Sequence, residues 1–120
     1  LPDGVERVLA RVAADRRAGT AERGLPLLDR VIAALPERPE PRLARGRLRL
    51  ERQDCRGALA DFQAAEAAAP ADPLAWGSSA LARLCLDDRS GAARDLRHSL
   101  ALDPHQPELA RTLAQLGASR

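Results

Sequence analysis

The sequence predicts an all-α fold, a stack of antiparallel helix pairs, and three periodic observations carry that prediction. Pro2, Pro36, Pro70 and Pro104 stand 34 residues apart, and Pro39, Pro73 and Pro107 repeat the same step. Thr20, Asp54 and Asp88 keep it too, each just ahead of a run of helix-forming residues. Leu28, Phe62 and Leu96 keep it again, placing one large apolar side chain in every period. A fixed period of this length, with helical spacing inside it, marks a two-helix unit that buries its apolar face only by stacking on its neighbours.

Seven helices follow in order. The first is expected over 5–18, ahead of Thr20. The second, over 21–35, is capped by Thr20, whose side chain can accept free amide hydrogens. It carries Gly24, Leu28 and Val31 on one stripe and stops before Pro36, because proline disfavours helical geometry in the residue before it. Pro26 lies inside that span and should kink the helix or delay its start. The third helix, over 40–52, follows Pro39, placed where a first turn tolerates a missing amide hydrogen. The fourth, over 55–69, begins behind Asp54, carries Ala58, Phe62 and Ala65, and ends before Pro70. Asp72-Pro73, a cap and a first-turn proline, starts the fifth over 73–86. The sixth, over 89–102, begins behind Asp88, carries Ala92, Leu96 and Ser99, and stops before Pro104. Pro107 opens the seventh, over 107–117. Connections are short and polar, as between antiparallel neighbours, and no stretch alternates with period two long enough to suggest a strand.

These residues resemble the tetratricopeptide repeat family across three repeats, 5–38, 39–72 and 73–106, plus the final helix 107–117. Ala58, Phe62 and Pro70 match that family's small residue, aromatic and terminal proline; Ala92, Leu96 and Pro104 nearly do. Trp76 and Ala80 match the expected bulky and small pair of a first helix, and Gly46 the small residue. Arg45, Arg49, Ser79 and Arg83 depart from the pattern, standing where such repeats put large apolar groups. The resemblance implies one right-handed superhelical stack over 1–120 with a C-terminal capping helix. Pro2, one period before Pro36, reads as the end of an earlier repeat in a longer chain.

A chain of 120 residues buries roughly two-thirds of its unfolded surface, enough for a core without metals. No apolar run approaches membrane-spanning length. Residues 1–60 hold 13 arginines against 9 acids, and residues 61–120 hold 6 against 8, so the halves carry +4 and −2. Arg42, Arg45, Arg49 and Arg52 recur at helical steps opposite Leu43, Leu48 and Leu50, and read as a solvated face whose stems cover apolar surface, with an acidic protein partner as the alternative. Nucleic acid is disfavoured as a partner: strand binders add aromatic stacking platforms, and Phe62 and Trp76 both fall at packing positions. Cys55 opens the fourth helix and Cys85 closes the fifth, ends that antiparallel packing brings to one edge. A bond there is conceivable, but two free thiols in a reducing compartment are expected, which favours the cytoplasm. Cysteine–histidine spacing for zinc is missing, and His98 and His105 read as lone surface histidines. The chain has no phosphate loop, nucleophile turn or histidine–carboxylate constellation, so neither catalysis nor a cofactor is expected.

Recognition remains. Stacked helix pairs make an extended concave surface, and the resemblance lines it with the first helix of each pair. The candidates are Leu9, Ala13, Arg16 and Arg17; then Leu43, Arg47, Leu50 and Glu51; then Leu74, Gly77, Ser78, Leu81 and Leu84. Such a surface suits an extended or helical segment with apolar anchors and some acidic character. In co-chaperones of this family, Lys and Asn side chains clamp a terminal carboxylate. Leu9, Ala13, Ala44, Leu74 and Ser78 stand in those places here, which disfavours a clamp. The expected function is a non-catalytic protein-interaction scaffold. The alternatives are a docking or regulatory part of a larger enzyme, and a homo-oligomerisation module.

Overall fold

The computed structural model describes residues 2–19 and 21–118. Seven α-helices occupy them, with no strand among the described residues: α1 (Pro2–Arg17), α2 (Gly24–Ala34), α3 (Pro39–Glu51), α4 (Cys55–Ala68), α5 (Pro73–Cys85), α6 (Arg89–Leu102) and α7 (Pro107–Ala118). They pack as successive antiparallel pairs, α1/α2, α3/α4 and α5/α6, with α7 laid against α6. α1 runs from Pro2, three residues earlier than expected, because a first helical turn accepts proline. The delay foreseen at Pro26 is real. A 3-10 turn, Ala21–Arg23, precedes α2, and Pro26 falls in the first turn of α2. The cap expected at Thr20 lies outside the described residues.

The other caps are formed as the local chemistry dictates. Asp54 Oδ1 accepts from Gly57 N at 3.0 Å, Asp88 Oδ1 from Gly91 N at 2.9 Å, and Asp72 Oδ1 from Leu74 N at 3.0 Å. Asp54 and Asp88 also end the preceding helices. Asp54 N donates to Arg49 O at 2.8 Å and Gln53 N to Leu50 O at 3.0 Å; Asp88 and Asp87 repeat this pattern on Arg83 and Leu84. Each turn needs one residue in the left-handed region, and Gly19, Gln53 and Asp87, one period apart, have φ of 78°, 66° and 61°.

Three layers fill the core, and each balances its volumes differently. Val12, Gly24 and Leu28 occupy the first, Gly46, Ala58 and Phe62 the second, and Ala80, Ala92 and Leu96 the third, all of them buried. Where Val12 is bulky, its neighbour is glycine: a Cβ on Gly24 would stand 3.0 Å from Val12 Cγ2, so Val12 would have to shift by a few tenths of an ångström. Where Phe62 is bulky, residue 46 must be glycine, since a Cβ there would stand 2.8 Å from Phe62 Cδ1.

Two expectations are corrected. Arg45 and Arg49 are not a solvated face. Both turn inward onto Asp61, which is 2 % exposed; Arg45 Nη2 donates at 2.8 Å and Arg49 Nη1 at 3.1 Å. Arg45 also donates to Asp29 at 2.9 Å, bridging α2, α3 and α4. These are the arginines that replace large apolar groups of the repeat, and each bridges helices by charge. Likewise Arg83 Nε donates to Asp95 at 2.7 Å, and Ser79 hydrogen-bonds Glu66. The cysteines, expected free, form a disulfide with Cα atoms 6.0 Å apart. The cause is the antiparallel contact of α4 and α5, which stacks the start of one on the end of the other within bridging distance. The preference for a reducing compartment loses its basis. His98, expected to stand alone, lies over the Trp76 ring with centroids 3.9 Å apart. Trp76 Nε1 in turn donates to Pro70 O at 2.9 Å.

Candidate functional site

The first helices line two adjoining hollows, one between α3 and α5 and one between α1 and α3. On α5, Leu74, Ser78 and Leu81 recur at four- and three-residue steps, so they form one stripe. Leu74 is 49 % and Leu81 48 % exposed, unusual for leucines in a helix whose other face is buried. Between them Gly77 lowers the floor, its missing Cβ leaving room for Leu109 of α7. Arg47 and Leu50 of α3 form the facing wall of a cavity of about 230 Å³, with Gln106 and Leu109 at its far side. Phe62, buried in its own layer, supplies the floor.

A second hollow, of about 200 Å³, continues the surface toward the N-terminal end between α1 and α3. Leu9, Ala13, Ala44 and Arg47 line it together with Arg16. Arg16 bonds Glu51 across the hollow, so those two charges cancel. Arg47 belongs to both cavities and carries no ion-pair partner among the described residues. The two hollows are therefore mainly apolar, with one uncompensated positive charge, Arg47, common to both. A further cleft, of about 450 Å³ between Arg89, Arg97, Leu113 and Leu116, lies away from these hollows.

Of the sequence candidates, Arg47, Leu50, Leu74, Gly77 and Leu81 meet in one cavity, and Leu9 and Arg16 in the adjoining one. Leu43 and Leu84 meet neither. Leu43 packs on the Phe62 layer and Leu84 on the Leu96 layer, both partly buried. Phe62, Gln106 and Leu109 were missed as lining residues. Gln106 is fixed there by its amide, which donates to Ser99 O at 3.1 Å and Asp103 O at 2.8 Å. Among the described residues, no group of three or more His, Cys, Asp or Glu side chains could hold a metal ion, and no helix is long and apolar enough to cross a membrane.

No protein-family model matches the chain, and no curated protein sequence does. Solved structures match it closely in shape. The first TPR of Spaghetti (RPAP3), bound to the HSP90 peptide SRMEEVD, superposes with a TM-score of 0.91 at 17 % identity, covering 98 % of this chain and 93 % of that one. The second TPR domain of human RPAP3, in complex with the HSP70 peptide SGPTIEEVD, gives 0.85 at 22 % identity, with 92 % of each chain covered. PcrH, in complex with the chaperone binding region of PopD, gives 0.80 at 20 % identity, covering 99 % and 90 %.

Proposed function

We propose that this chain, which has the tetratricopeptide-repeat fold, is a non-catalytic interaction module. Its concave groove holds an extended or helical protein segment with two apolar anchors and an acidic group. The observation that carries this is the α5 stripe: Leu74 and Leu81 stand about 10 Å apart, two helical turns, over an apolar floor, with Arg47 opposite. Apolar anchors desolvated in such a groove supply the affinity, and one charge sets register. The similar RPAP3 domains hold HSP90 and HSP70 peptides that end in EEVD. Here Leu9, Ala13 and Ala44 line the hollow where the resemblance would place a carboxylate clamp, so the segment we propose is apolar-anchored and does not depend on a terminal carboxylate.

The test is selection from a displayed peptide library on the wild-type chain, with Leu81→Glu as the counter-selection target. Enriched peptides should carry two apolar residues near an Asp or Glu. Leu81→Glu should weaken them by about 2 kcal/mol or more, by placing a charge in an apolar contact. Arg47→Glu should weaken them in a salt-dependent way. Circular dichroism should show both variants fully helical. Enrichment indifferent to Leu81→Glu would put recognition elsewhere; loss of helix in that variant would put Leu81 in the core.

A further inference from the structure

The disulfide sits at the end of the groove. Leu74, Ser78, Leu81 and Cys85 lie at successive four-, three- and four-residue steps, so Cys85 prolongs the same stripe of α5 by one turn. Its partner Cys55 opens α4, directly after the turn that ends α3, and its Sγ is 3.6 Å from Gln53 O. The bond thus joins the first residue of α4 to the last residue of α5, and the end of α3 is coupled to it through the turn in which Gln53 N donates to Leu50 O and Asp54 N to Arg49 O.

We propose that the Cys55–Cys85 bond is a redox-controlled clamp on the groove: oxidised, it holds the α3 and α5 walls at binding width, and reduction loosens that end. The inference rests on the groove reading above. Cys85 is exposed while Cys55 is 8 % exposed, so a small dithiol attacks the Cys85 sulfur. The sulfur–sulfur bond breaks, and the electron pair leaves on Cys55 as a thiolate at the first residue of α4, the positive end of that helix. The reductant's second thiol then closes on the mixed disulfide and releases Cys85. The reductant gives two electrons and two protons, ending as a cyclic disulfide, and the protein ends with two thiols. The layers of Phe62 and Leu96 do not involve the bond, so the reduced chain keeps its helices.

The experiment compares the whole chain as oxidised, as treated with dithiothreitol, and as the Cys55→Ser/Cys85→Ser variant. Intact mass should rise by two hydrogens on reduction; no rise means no bond and ends the proposal. Hydrogen exchange should quicken about threefold or more over 48–54 and 81–87 in the reduced and variant chains, with α6 little changed. Equal quickening along the chain, or none, would make the bond a general staple or an inert one and overturn the clamp. Anilinonaphthalene sulfonate, an anionic apolar probe, should bind the reduced chain at least threefold more weakly, and Leu81→Glu should weaken it in both states. Dye binding sensitive to Leu81→Glu but not to reduction overturns the clamp alone. Dye binding indifferent to Leu81→Glu removes the groove reading, and the exchange pattern then decides the clamp.

Discussion

In α3/α4 and in α5/α6 an arginine near the end of the first helix reaches a carboxylate buried in the second: Arg49 to Asp61, Arg83 to Asp95. In α1/α2 the same two positions are Asp15 and Leu27, and Asp15 pairs within its own helix with Arg11. The turns differ as well. Asp54 and Asp88 close one helix and cap the next, whereas a 3-10 turn separates α1 from α2, whose first turn holds Pro26. The packing of α1 on α2 is correspondingly sparser than in the two later pairs. One period therefore accommodates two kinds of adhesive. Repeat one is joined mainly by Val12, Leu28 and Ile32; repeats two and three add a buried arginine–carboxylate bridge. Such a bridge adds little net stability against an apolar substitute, but its loss from one side is severe, because the other charge stays desolvated.

The largest expected effect tests that asymmetry. Asp61→Ala removes the buried carboxylate that Arg45 and Arg49 share, leaving Arg45 with Asp29 and Arg49 with Asp54, and should cost about 1–3 kcal/mol in urea denaturation. Arg11→Ala, which removes the exposed partner of buried Asp15, should cost less, about 1 kcal/mol. Equal losses would erase the distinction between the repeats. A second substitution sharpens the layer comparison. Gly46→Ala forces Phe62 aside and should cost about 1–3 kcal/mol. Gly46→Ala with Phe62→Leu recreates the Ala80–Leu96 pair of repeat three, so the double variant should lose less than the sum of the singles. Strict additivity would show that the two side chains do not share one space.

The smallest effect concerns the junctions between repeats. Repeats two and three meet through Glu66 and Ser79; the equivalent positions between repeats one and two are Ile32 and Arg45. Burial, with the nearby Asp95 charge, raises the Glu66 carboxyl above its ordinary 4.5, against the lowering by the Ser79 hydroxyl. The native state therefore holds this proton more tightly than the unfolded chain. Its contribution is full below the ordinary value and fades as pH rises through the raised one. Glu66→Gln should leave stability near pH 4 unchanged and flatten its decline toward neutrality. Asp88 runs the other way. The Gly91 amide, then Arg83, holds it below the carboxylate range, so its contribution is lost as pH falls through the lowered value. Thermal midpoints from pH 3 to 7 separate the two; a wild-type slope in Glu66→Gln would clear Glu66 of the role.

Much of the fold was legible because its determinants act over a few residues. Asp54, Asp72 and Asp88 cap helices that begin one residue later, and Pro39, Pro73 and Pro107 begin helices by fixing a backbone angle. The period then stacked those helices without further information. Part of the site was legible for the same reason: the spacing of Leu74 and Leu81 on one helix fixes their common face. Whether a first-helix leucine faces solvent or core was not, and Leu43 and Leu84 turned inward while Leu74 and Leu81 stayed exposed. A period-locked clue to the ion pairs was present, since Asp61 and Asp95 keep the same 34-residue step as Arg49 and Arg83.

By itself, then, the sequence determined where helices start and stop, and that they repeat. Only the tertiary structure decided that Arg45 and Arg49 bind Asp61, 16 and 12 residues away, that Cys55 meets Cys85 across a separation of 30, and that Gly46 makes room for Phe62. Caps and prolines work through bonds to adjacent backbone, which the order of residues specifies. Charge pairing, bridging and volume balance work between helices, and the angle and depth at which two helices cross is set by all the side chains between them at once.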